Sequence, residues 1–323
     1  MTLPAAPLKF RPVVKQIIWG GRKLGDRLNK PIGDGDDYAE SWEVVDHGAD
    51  QSVVDGGPCD GMTLAALLSS YGDLTLGAGV PRQQFPLLLK YLDCNRVLSV
   101  QVHPDDEYAS KMTPPDRGKT EAWYVVDAEP GALIYAGLKD GVDRGAFGSA
   151  IEAGRTEDVL HAFEPSAGDT VFIPPGTVHA LGAGLLIAEI QQSSDTTFRL
   201  FDWNRVDDRG NGRALHIEAG LEVSDYRRGP VRPRSLDRTL AGWQTAVSCD
   251  KFSLAALHRG DAPVGGRDRF VIVTVPSGRA TLTCGDHVES LTAGDTRLIP
   301  AIAPEGTVEV AEGGTVLAMG LPQ

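Results

Sequence analysis

Short β-branched and aromatic runs, separated by turn-forming residues, dominate the hydrophobic pattern of this chain. The clearest is residues 171–173, which Pro174 and Pro175 end and after which Gly176 permits a tight turn. His179 follows at the start of the next predicted strand. Because extended segments recur along most of the chain, the pattern predicts a mainly β protein.

Three stretches interrupt the extended pattern with apolar residues at helical spacing. Residues 63–70 follow a turn at Asp60-Gly61 and stop at Gly72, and two further helices are predicted at residues 143–153 and 157–163. None of the three carries a chemical motif. We expect these helices to cap the β structure or to line its mouth.

Four polar side chains have the spacing of a metal site. In the predicted strand 98–104, Gln101 and His103 are two residues apart, so both side chains leave the same face with α-carbons roughly 6–7 Å apart. Glu121 opens another strand at 122–126, and His179 follows the turn described above. A lone histidine would more often be a core residue, but two imidazoles, a carboxylate and an amide can converge. Such a set suits zinc, and by spacing alone it also admits Fe, Mn, Co or Ni.

The same residues resemble the cupin motifs, and further segments resemble one cupin family. Gly168, Pro174, Gly176 and His179 stand where the second cupin motif has its Gly, Pro, Gly and His, while the residues around Gln101 and Glu121 resemble a first motif stretched by an insertion. Six segments are similar to type I mannose-6-phosphate isomerase in its short bacterial form; these are residues 18–21, 40–43, 85–90, 98–108, 118–131 and 189–205.

The resemblance implies a ligand set and an activity. It implies that Gln101, His103, Glu121 and His179 surround one Zn²⁺ per chain, and that the enzyme interconverts mannose 6-phosphate and fructose 6-phosphate through a cis-enediol. Such an isomerase needs a positioned base and a cation at the carbonyl oxygen.

Four further residues are candidates for the substrate site. Lys119 is the leading candidate for the base, since a lysine in a dry cavity beside a cation can give up its proton; His103 fits that role only if it binds no metal. Arg199 lies where the family keeps an active-site arginine and would stabilise an enediolate or grip phosphate. Asp195 either orients Arg199 or serves as a turn residue. Trp42 either walls the sugar pocket or packs in the core.

Two acidic residues are candidates for supporting the metal ligands. Glu43 and Glu189 would orient the imidazoles. Glu189 and Gln191 share one face of their strand, and Gln192 lies on the other.

Three other functions remain open at this point. A metal-binding cupin that senses sugars without turnover has no need of both a base and a charge stabiliser, so Lys119 together with Arg199 argues against it. A cupin dioxygenase using Fe(II) is disfavoured by glutamine in place of a histidine at position 101. An isomerase acting on an unphosphorylated aldose is also compatible, because the chain has no glycine-rich phosphate loop.

The last part of the chain repeats a turn motif of the first part but lacks the counterpart of His179. Residues 294–300 repeat the pattern of residues 168–174, but Ile302 and Glu305 fall where Gly176 and His179 would be. We therefore expect two cupin-like (jelly-roll) β-barrels with inserted helices. The catalytic domain would be residues 1–238, ending in an Arg- and Pro-rich linker at 225–238, and residues 239–323 would be a degenerate, structural cupin domain without metal. His258 and His287 are then packing or surface residues.

The composition of the chain limits the classes of molecule that it is expected to bind. The 323 residues carry a net charge of −13, with 41% hydrophobic residues. An acidic chain without a long basic tract is a poor nucleic-acid binder, so a sugar phosphate would need a local positive pocket. The four cysteines show no paired metal-ligand spacing, and no apolar run approaches the ~18 residues of a membrane span. With no signal-peptide pattern at the N-terminus, the expected location is the cytoplasm.

Overall fold

The computed structural model describes residues 2–206 and 210–322 and is mainly β. The helices are α1 Lys23–Leu28, α2 Leu64–Leu76, α3 Asp106–Ser110, α4 Arg144–Glu152 and α5 Ile217–Val223. The strands up to residue 238 are β1 Phe10–Arg11, β2 Val13–Gly21, β3 Tyr38–Val44, β4 Asp46–His47, β5 Asp50–Gln51, β6 Val53–Val54, β7 Leu87–Cys94, β8 Val100–Val102, β9 Glu121–Ala128, β10 Ile134–Leu138, β11 Leu160–Phe163, β12 Asp169–Ile173, β13 His179–Leu181, β14 Leu185–Gln192, β15 Phe198–Phe201 and β16 Arg234–Ser235. Those after it are β17 Gln244–Ser248, β18 Ser253–Leu257, β19 Gly260–Val264, β20 Val271–Ser277, β21 Arg279–Cys284, β22 His287–Thr292, β23 Thr296–Ile299, β24 Gly306–Val310 and β25 Thr315–Gly320.

Four large antiparallel sheets form consecutive layers in the described residues. The first is a five-stranded sheet in the order β11-β10-β13-β8-β15, and the second is a seven-stranded sheet, β16-β12-β9-β14-β7-β3-β2. The third and fourth are the sheets β17-β18-β25-β20-β23 and β19-β24-β21-β22. Apolar clusters fill the spaces between successive layers.

The central strands of the seven-stranded sheet are buried on both faces, which explains their sequence. Every residue of β7 and of β14 is buried. On β7, Leu89 and Tyr91 point back toward the third sheet, where Ile272 and Met319 meet them in one cluster, whereas Leu92 points forward toward the first sheet. Two polar contacts cross the same back interface: the hydroxyls of Tyr91 and Thr274 lie 2.6 Å apart, and Lys30 reaches across to a carbonyl of the second half.

Two of the three predicted helices are present and one is wrong. Thr63 caps α2 by accepting the amide of Ala66, but this helix continues to Leu76 across a kink at Tyr71 instead of stopping at Gly72. Asp143 caps α4 as its position predicts. Residues 157–163 form the end of a short 3₁₀ turn and then strand β11, because pairing with β10 satisfies the backbone at the sheet edge.

The segment predicted as a linker is bonded to the first half. The amide of Val231 donates to the carbonyl of Ala136, and Arg234–Ser235 pairs with β12 as an edge strand. The assignment of residues 1–238 and 239–323 to separate domains stays a prediction. No described helix is long and apolar enough to cross a membrane.

The two turns with similar sequences, at residues 168–169 and 294–295, adopt the same local structure. Gly168 and Gly294 have φ angles of 99° and 92°. Each donates its amide to a strand carbonyl at 2.8 Å, and the aspartate that follows each one, Asp169 or Asp295, accepts an amide three residues before it. At Gly294 the turn also touches the first half, since an added Cβ would lie 1.8 Å from the carbonyl oxygen of Leu28.

We expect Gly294→Ala to lower the free energy of unfolding by about 2–5 kcal/mol, because it adds both an unfavourable φ and a clash at the interface. Gly313→Ala is the matched control, since its φ is 75° and nothing lies within 4 Å of the added Cβ. The control should cost only about 1 kcal/mol in a denaturant titration. Equal losses in the two variants would show that contact with Leu28 does not matter.

Candidate metal centre and active site

Among the described residues, one group of His, Cys, Asp or Glu side chains is arranged so that it could hold a metal ion. His103 follows β8, Glu121 begins β9 and His179 begins β13, and each is at most 1% exposed. One ligand atom from each lies within 4.8 Å of the others. The Nε2 atoms of His103 and His179 are 3.5 Å and 3.2 Å from the two carboxylate oxygens of Glu121.

Gln101 completes the predicted set of four. It pairs directly with His179 across β8 and β13, and its amide nitrogen lies 3.2 Å from Nε2 of that imidazole. Rotation of the amide by half a turn would present its oxygen instead. The structure therefore brings together all four side chains that the sequence predicts as ligands.

Backbone carbonyls orient the two imidazoles. Nδ1 of His103 donates to the carbonyl of Thr196, and Nδ1 of His179 donates to that of Thr177, both at 2.9 Å. Each neutral ring therefore presents the lone pair of Nε2 to the shared centre. Burial lowers the pKa of His103 well below its usual value and that of His179 to about 4, so both rings are neutral near pH 7, the state in which an imidazole can bind a metal.

The expectation that Glu43 and Glu189 orient these imidazoles is wrong. Glu43 lies on the back face of β3, where it accepts from Lys30 and Ser41. Glu189 faces the front but accepts from the indole of Trp123 at 3.0 Å. The backbone carbonyls of Thr196 and Thr177 orient the two imidazoles instead.

The donor atoms fit a divalent cation. Nε2 of His103 and Oε1 of Glu121 are buried and have no hydrogen-bond partner among the described residues, while Oε2 of Glu121 lies 3.0 Å from the ammonium of Lys119. Leaving buried polar atoms unpaired is costly, whereas a cation at their common centre would satisfy all of them at once. Two imidazoles, a carboxylate and an amide are a donor set that zinc accepts.

A cavity of about 480 Å³ lies beside this group, between the first two sheets. Neighbouring strands supply two rows of lining residues. Across the five-stranded sheet, Arg199, Gln101 and His179 lie side by side. Across the seven-stranded sheet the facing row is Trp42, Lys90, Glu189 and Trp123.

The predicted substrate residues all line this cavity, with different surroundings. Lys119 is buried, and its Nζ lies 3.0 Å from Glu121 Oε2. Arg199 is half-buried; it donates from Nη1 to the carbonyl of Ala214, and burial lowers its pKa. Asp195 is exposed and, within the described residues, forms no ion pair with Arg199, so the orienting role proposed for it is not observed. Trp42 is buried and donates a hydrogen bond to Glu40. Because its side chain also lines the cavity, Trp42 both packs in the core and forms part of the pocket wall.

Sequence reasoning missed a buried charge cluster in the cavity wall. Nζ of Lys90 lies 3.6 Å from a carboxylate oxygen of Glu40, 3.6 Å from one of Glu189, and 4.8 Å from the centre of the Trp42 ring. Burial disfavours the charged ammonium, but the two carboxylates outweigh that effect and raise the pKa of Lys90. The available signal was a lysine inside the apolar run 87–92, because a charge in a fully buried strand requires partners.

The two histidines of the second half have other neighbours. His258 is buried, with Nε2 3.3 Å from the hydroxyl of Tyr124. His287 is on a partly exposed strand and pairs with Glu289. In residues 239–322 the described side chains form no group of three or more potential ligands.

Comparison with known proteins agrees with the sequence resemblance. The model of the type I phosphomannose isomerase catalytic domain matches residues 8–134. Mannose-6-phosphate isomerase ManA of Bacillus subtilis is 35% identical over 299 residues, covering 91% of this chain and 93% of that protein. Mannose-6-phosphate isomerase of Streptococcus mutans is 34% identical, covering 92% and 93%.

Solved structures show the same architecture. The crystal structure of mannose 6-phosphate isomerase from Bacillus subtilis superposes with a TM-score of 0.86 at 31% identity, covering 98% of this chain and all of that one. A putative mannosephosphate isomerase from Archaeoglobus fulgidus has a TM-score of 0.78 at 22% identity over the whole of both chains, which supports the fold alone. With the buried ligand group, the cavity and these relatives taken together, the chain belongs to the type I phosphomannose isomerase family.

Proposed function

We propose that this chain is a zinc-dependent aldose–ketose isomerase that interconverts mannose 6-phosphate and fructose 6-phosphate through a cis-enediol intermediate. The observation that carries the proposal is the buried group of His103, Glu121 and His179, which borders through His179 a cavity that Lys119 and Arg199 also line. The names of the relatives support the same reaction and substrate.

The proposed metal site consists of Gln101, His103, Glu121 and His179. A bound Zn²⁺ would supply a Lewis acid that polarises a sugar oxygen and positions the substrate. The weak amide ligand would leave that cation electrophilic. The carbonyls that fix the two imidazoles would keep the ligand atoms in place during turnover.

The reaction moves one proton between adjacent carbons. A base removes the proton at C2 of the aldose, the electron pair forms the C1–C2 double bond of the enediol, and O1 gains a proton. Return of a proton to C1, with loss of the proton on O2, gives the ketose. The protein must therefore supply one group that both accepts and donates a proton, and one charge that stabilises the enediolate.

Lys119 is the better candidate for the proton carrier of the two buried lysines. Its one carboxylate partner is Glu121, whose charge a bound metal ion would also attract. The ammonium of Lys119 is therefore held less tightly than that of Lys90. Lys90 is held by two carboxylates that raise its pKa, which makes loss of its proton unfavourable. In the proposed ligand set His103 is engaged at both ring nitrogens and has no free site for a substrate proton.

Arg199 is the candidate for binding negative charge. Among the described residues that line the cavity, every other lysine or arginine has a carboxylate within 4 Å; these are Lys15, Lys90, Lys119 and Arg213. Within residues 2–206 and 210–322, Arg199 has no carboxylate at that distance, and its buried Nε has no hydrogen-bond partner. A guanidinium in that state is suited to an enediolate or a phosphate, while the Trp42 ring would pack on the apolar face of the hexose.

The proposal extends to the fold. We propose that the first two sheets form a cupin-like barrel that carries the site, and that the last two form a second, structural barrel. The shared geometry of the turns at Gly168 and Gly294 supports the repeat. Ile302 and Glu305 replace the residues that would continue the second turn into a metal site.

We expect one zinc ion per chain, required for activity. A chelator should abolish turnover of mannose 6-phosphate and added Zn²⁺ should restore it. His179→Ala should fold but lose the metal, because the preceding turn is held by backbone hydrogen bonds from Gly176 to His103 and from Asp225 to Gly176. Metal analysis and circular dichroism measure the two effects. His287→Ala, in the second half, is the control and should keep both metal and kcat; active protein free of metal would contradict the proposal.

We expect Lys119→Ala to reduce kcat by roughly 10²- to 10⁴-fold and Arg199→Ala by roughly 10²- to 10³-fold, with metal content unchanged. If Arg199 binds the phosphate, its loss should instead raise KM for mannose 6-phosphate and spare the slow turnover of mannose. Steady-state kinetics with both sugars separates these cases. The exposed Arg267 serves as control through Arg267→Ala. Wild-type kcat and KM in either site variant would place that residue outside the active site.

We expect Lys90→Met to destabilise the protein by about 3–5 kcal/mol, because it leaves the buried Glu189 and the partly buried Glu40 without their shared cation. Adding Glu189→Gln to this variant should recover part of the loss. Denaturant unfolding of the metal-free proteins measures both. Full stability in the single variant would mean that water compensates the two carboxylates.

A further inference from the structure

The carboxylate of Asp116 joins several segments just outside the cavity. Its Oδ2 accepts from the hydroxyls of Thr196 at 2.6 Å and Ser194 at 3.1 Å. Its Oδ1 accepts the amide of Arg117 at 2.8 Å and lies 3.4 Å from Nε2 of His47. Asp116 lies in none of the strands or helices and contacts none of the four proposed ligands, so neither the sequence motifs nor the proposed reaction assigns it a task.

Thr196 connects this carboxylate to the metal group. Its hydroxyl donates to Asp116, while its carbonyl accepts the Nδ1 proton of His103 at 2.9 Å. That proton decides which nitrogen of His103 faces the centre and how the ring is turned. The orientation of one proposed ligand therefore depends on where the peptide of Thr196 is held.

The segment that contains Thr196 has no sheet ladder to hold it. Residues 194–197 lie between β14 and β15 in irregular structure. Ser194 is held by a backbone bond to Gln192, by the amide of Gln191, and by its own hydroxyl, which donates to Asp116 and at 2.9 Å to the carbonyl of Arg117. The side-chain hydroxyl of Thr196 donates to Asp116, which ties the peptide next to His103 to this carboxylate. Asp195 and Thr197 of the same segment line the cavity.

Asp116 is charged in this setting. Burial alone would raise its pKa, but the hydrogen bonds from Thr196 and from the amide of Arg117 outweigh burial and lower the pKa. Hydrogen bonds to an ionised carboxylate are stronger than those to a neutral acceptor, so the charge tightens the segment.

We propose that Asp116 is a positioning residue of the metal site, which acts through Thr196 to hold the imidazole of His103 in its ligating orientation. The inference rests on the proposed metal site. Outer partners of metal ligands typically contribute 10- to 100-fold in metal affinity. Removing the hydrogen bond between Asp116 and Thr196 should weaken metal binding by that factor without removing a ligand.

The test compares variants at both ends of this hydrogen bond. Asp116→Asn removes the charge, Thr196→Val removes the hydroxyl at constant shape, and Thr196→Ser retains it. The dissociation constant of Zn²⁺ is measured by competition with a chromophoric chelator, and the Tm of each metal-free protein is measured in parallel. We expect about 10- to 100-fold weaker binding for Asp116→Asn and Thr196→Val, and near-native binding for Thr196→Ser.

Asp169→Asn is the matched control. Asp169 also joins two segments, through the hydroxyl of Ser235 and the amide of Ser166, but it begins β12, at the end of that strand opposite to Ile173, which pairs with Glu121. This variant should lower Tm and leave the zinc affinity unchanged. Native zinc affinity in Asp116→Asn and Thr196→Val, even with a lower Tm, would overturn the inference, as would an equal loss in Asp169→Asn. Wild-type protein that binds no zinc would instead overturn the proposed function.

Discussion

Burial of the central strands of the seven-stranded sheet on both faces is the constraint on which the rest of the structure depends. Successive side chains of a strand point to opposite faces, so β7, β9 and β14 must supply chemistry on one face and packing on the other. Lys90 and Glu189 face the cavity, while their neighbours Tyr91 and Ala188 belong to the core shared with the second half. A shift of one residue in register would exchange the two sets, so the back interface fixes the geometry of the front.

The cavity contains several charges that burial disfavours, and most of them have a partner of opposite charge in its wall. Lys90 lies between Glu40 and Glu189, and Lys119 lies against Glu121. Two positions depart from this balance: the ligand group retains buried atoms without hydrogen bonds, and Arg199 has no carboxylate partner among the described residues. The first suits a cation and the second an anion, which are the two charges that a metal-assisted isomerisation of a sugar phosphate brings.

The convergence of the four candidate ligands could be predicted from sequence because local geometry places them. Alternation puts Gln101 and His103 on one face, and the Pro-Gly turn delivers His179 to the next strand. The resemblance to a known family supplied Lys119, Arg199 and Trp42. Other parts of the site depend on tertiary structure. The imidazoles are oriented by backbone carbonyls, and because every residue has one, the sequence does not indicate which carbonyls are used. The prediction that Glu43 and Glu189 orient the imidazoles was wrong for this reason. Residues 157–163 have apolar positions that suit either a helix or a strand, and pairing with β10 decided between them.

The buried pair of Lys30 and Glu43 has a consequence for synthesis on the ribosome. The ammonium of Lys30 lies 2.6 Å from the carboxylate of Glu43 and 2.5 Å from the carbonyl of Gly294, which is translated more than 250 residues later. Until then the ammonium lacks one of its acceptors, and the apolar back of β7 and β14 lacks its cover. At elongation rates of about 5–20 residues per second, the residues after 238 take on the order of 4–17 s to appear. The nascent first half thus exposes an apolar surface for seconds, and that surface is its back face rather than the cavity.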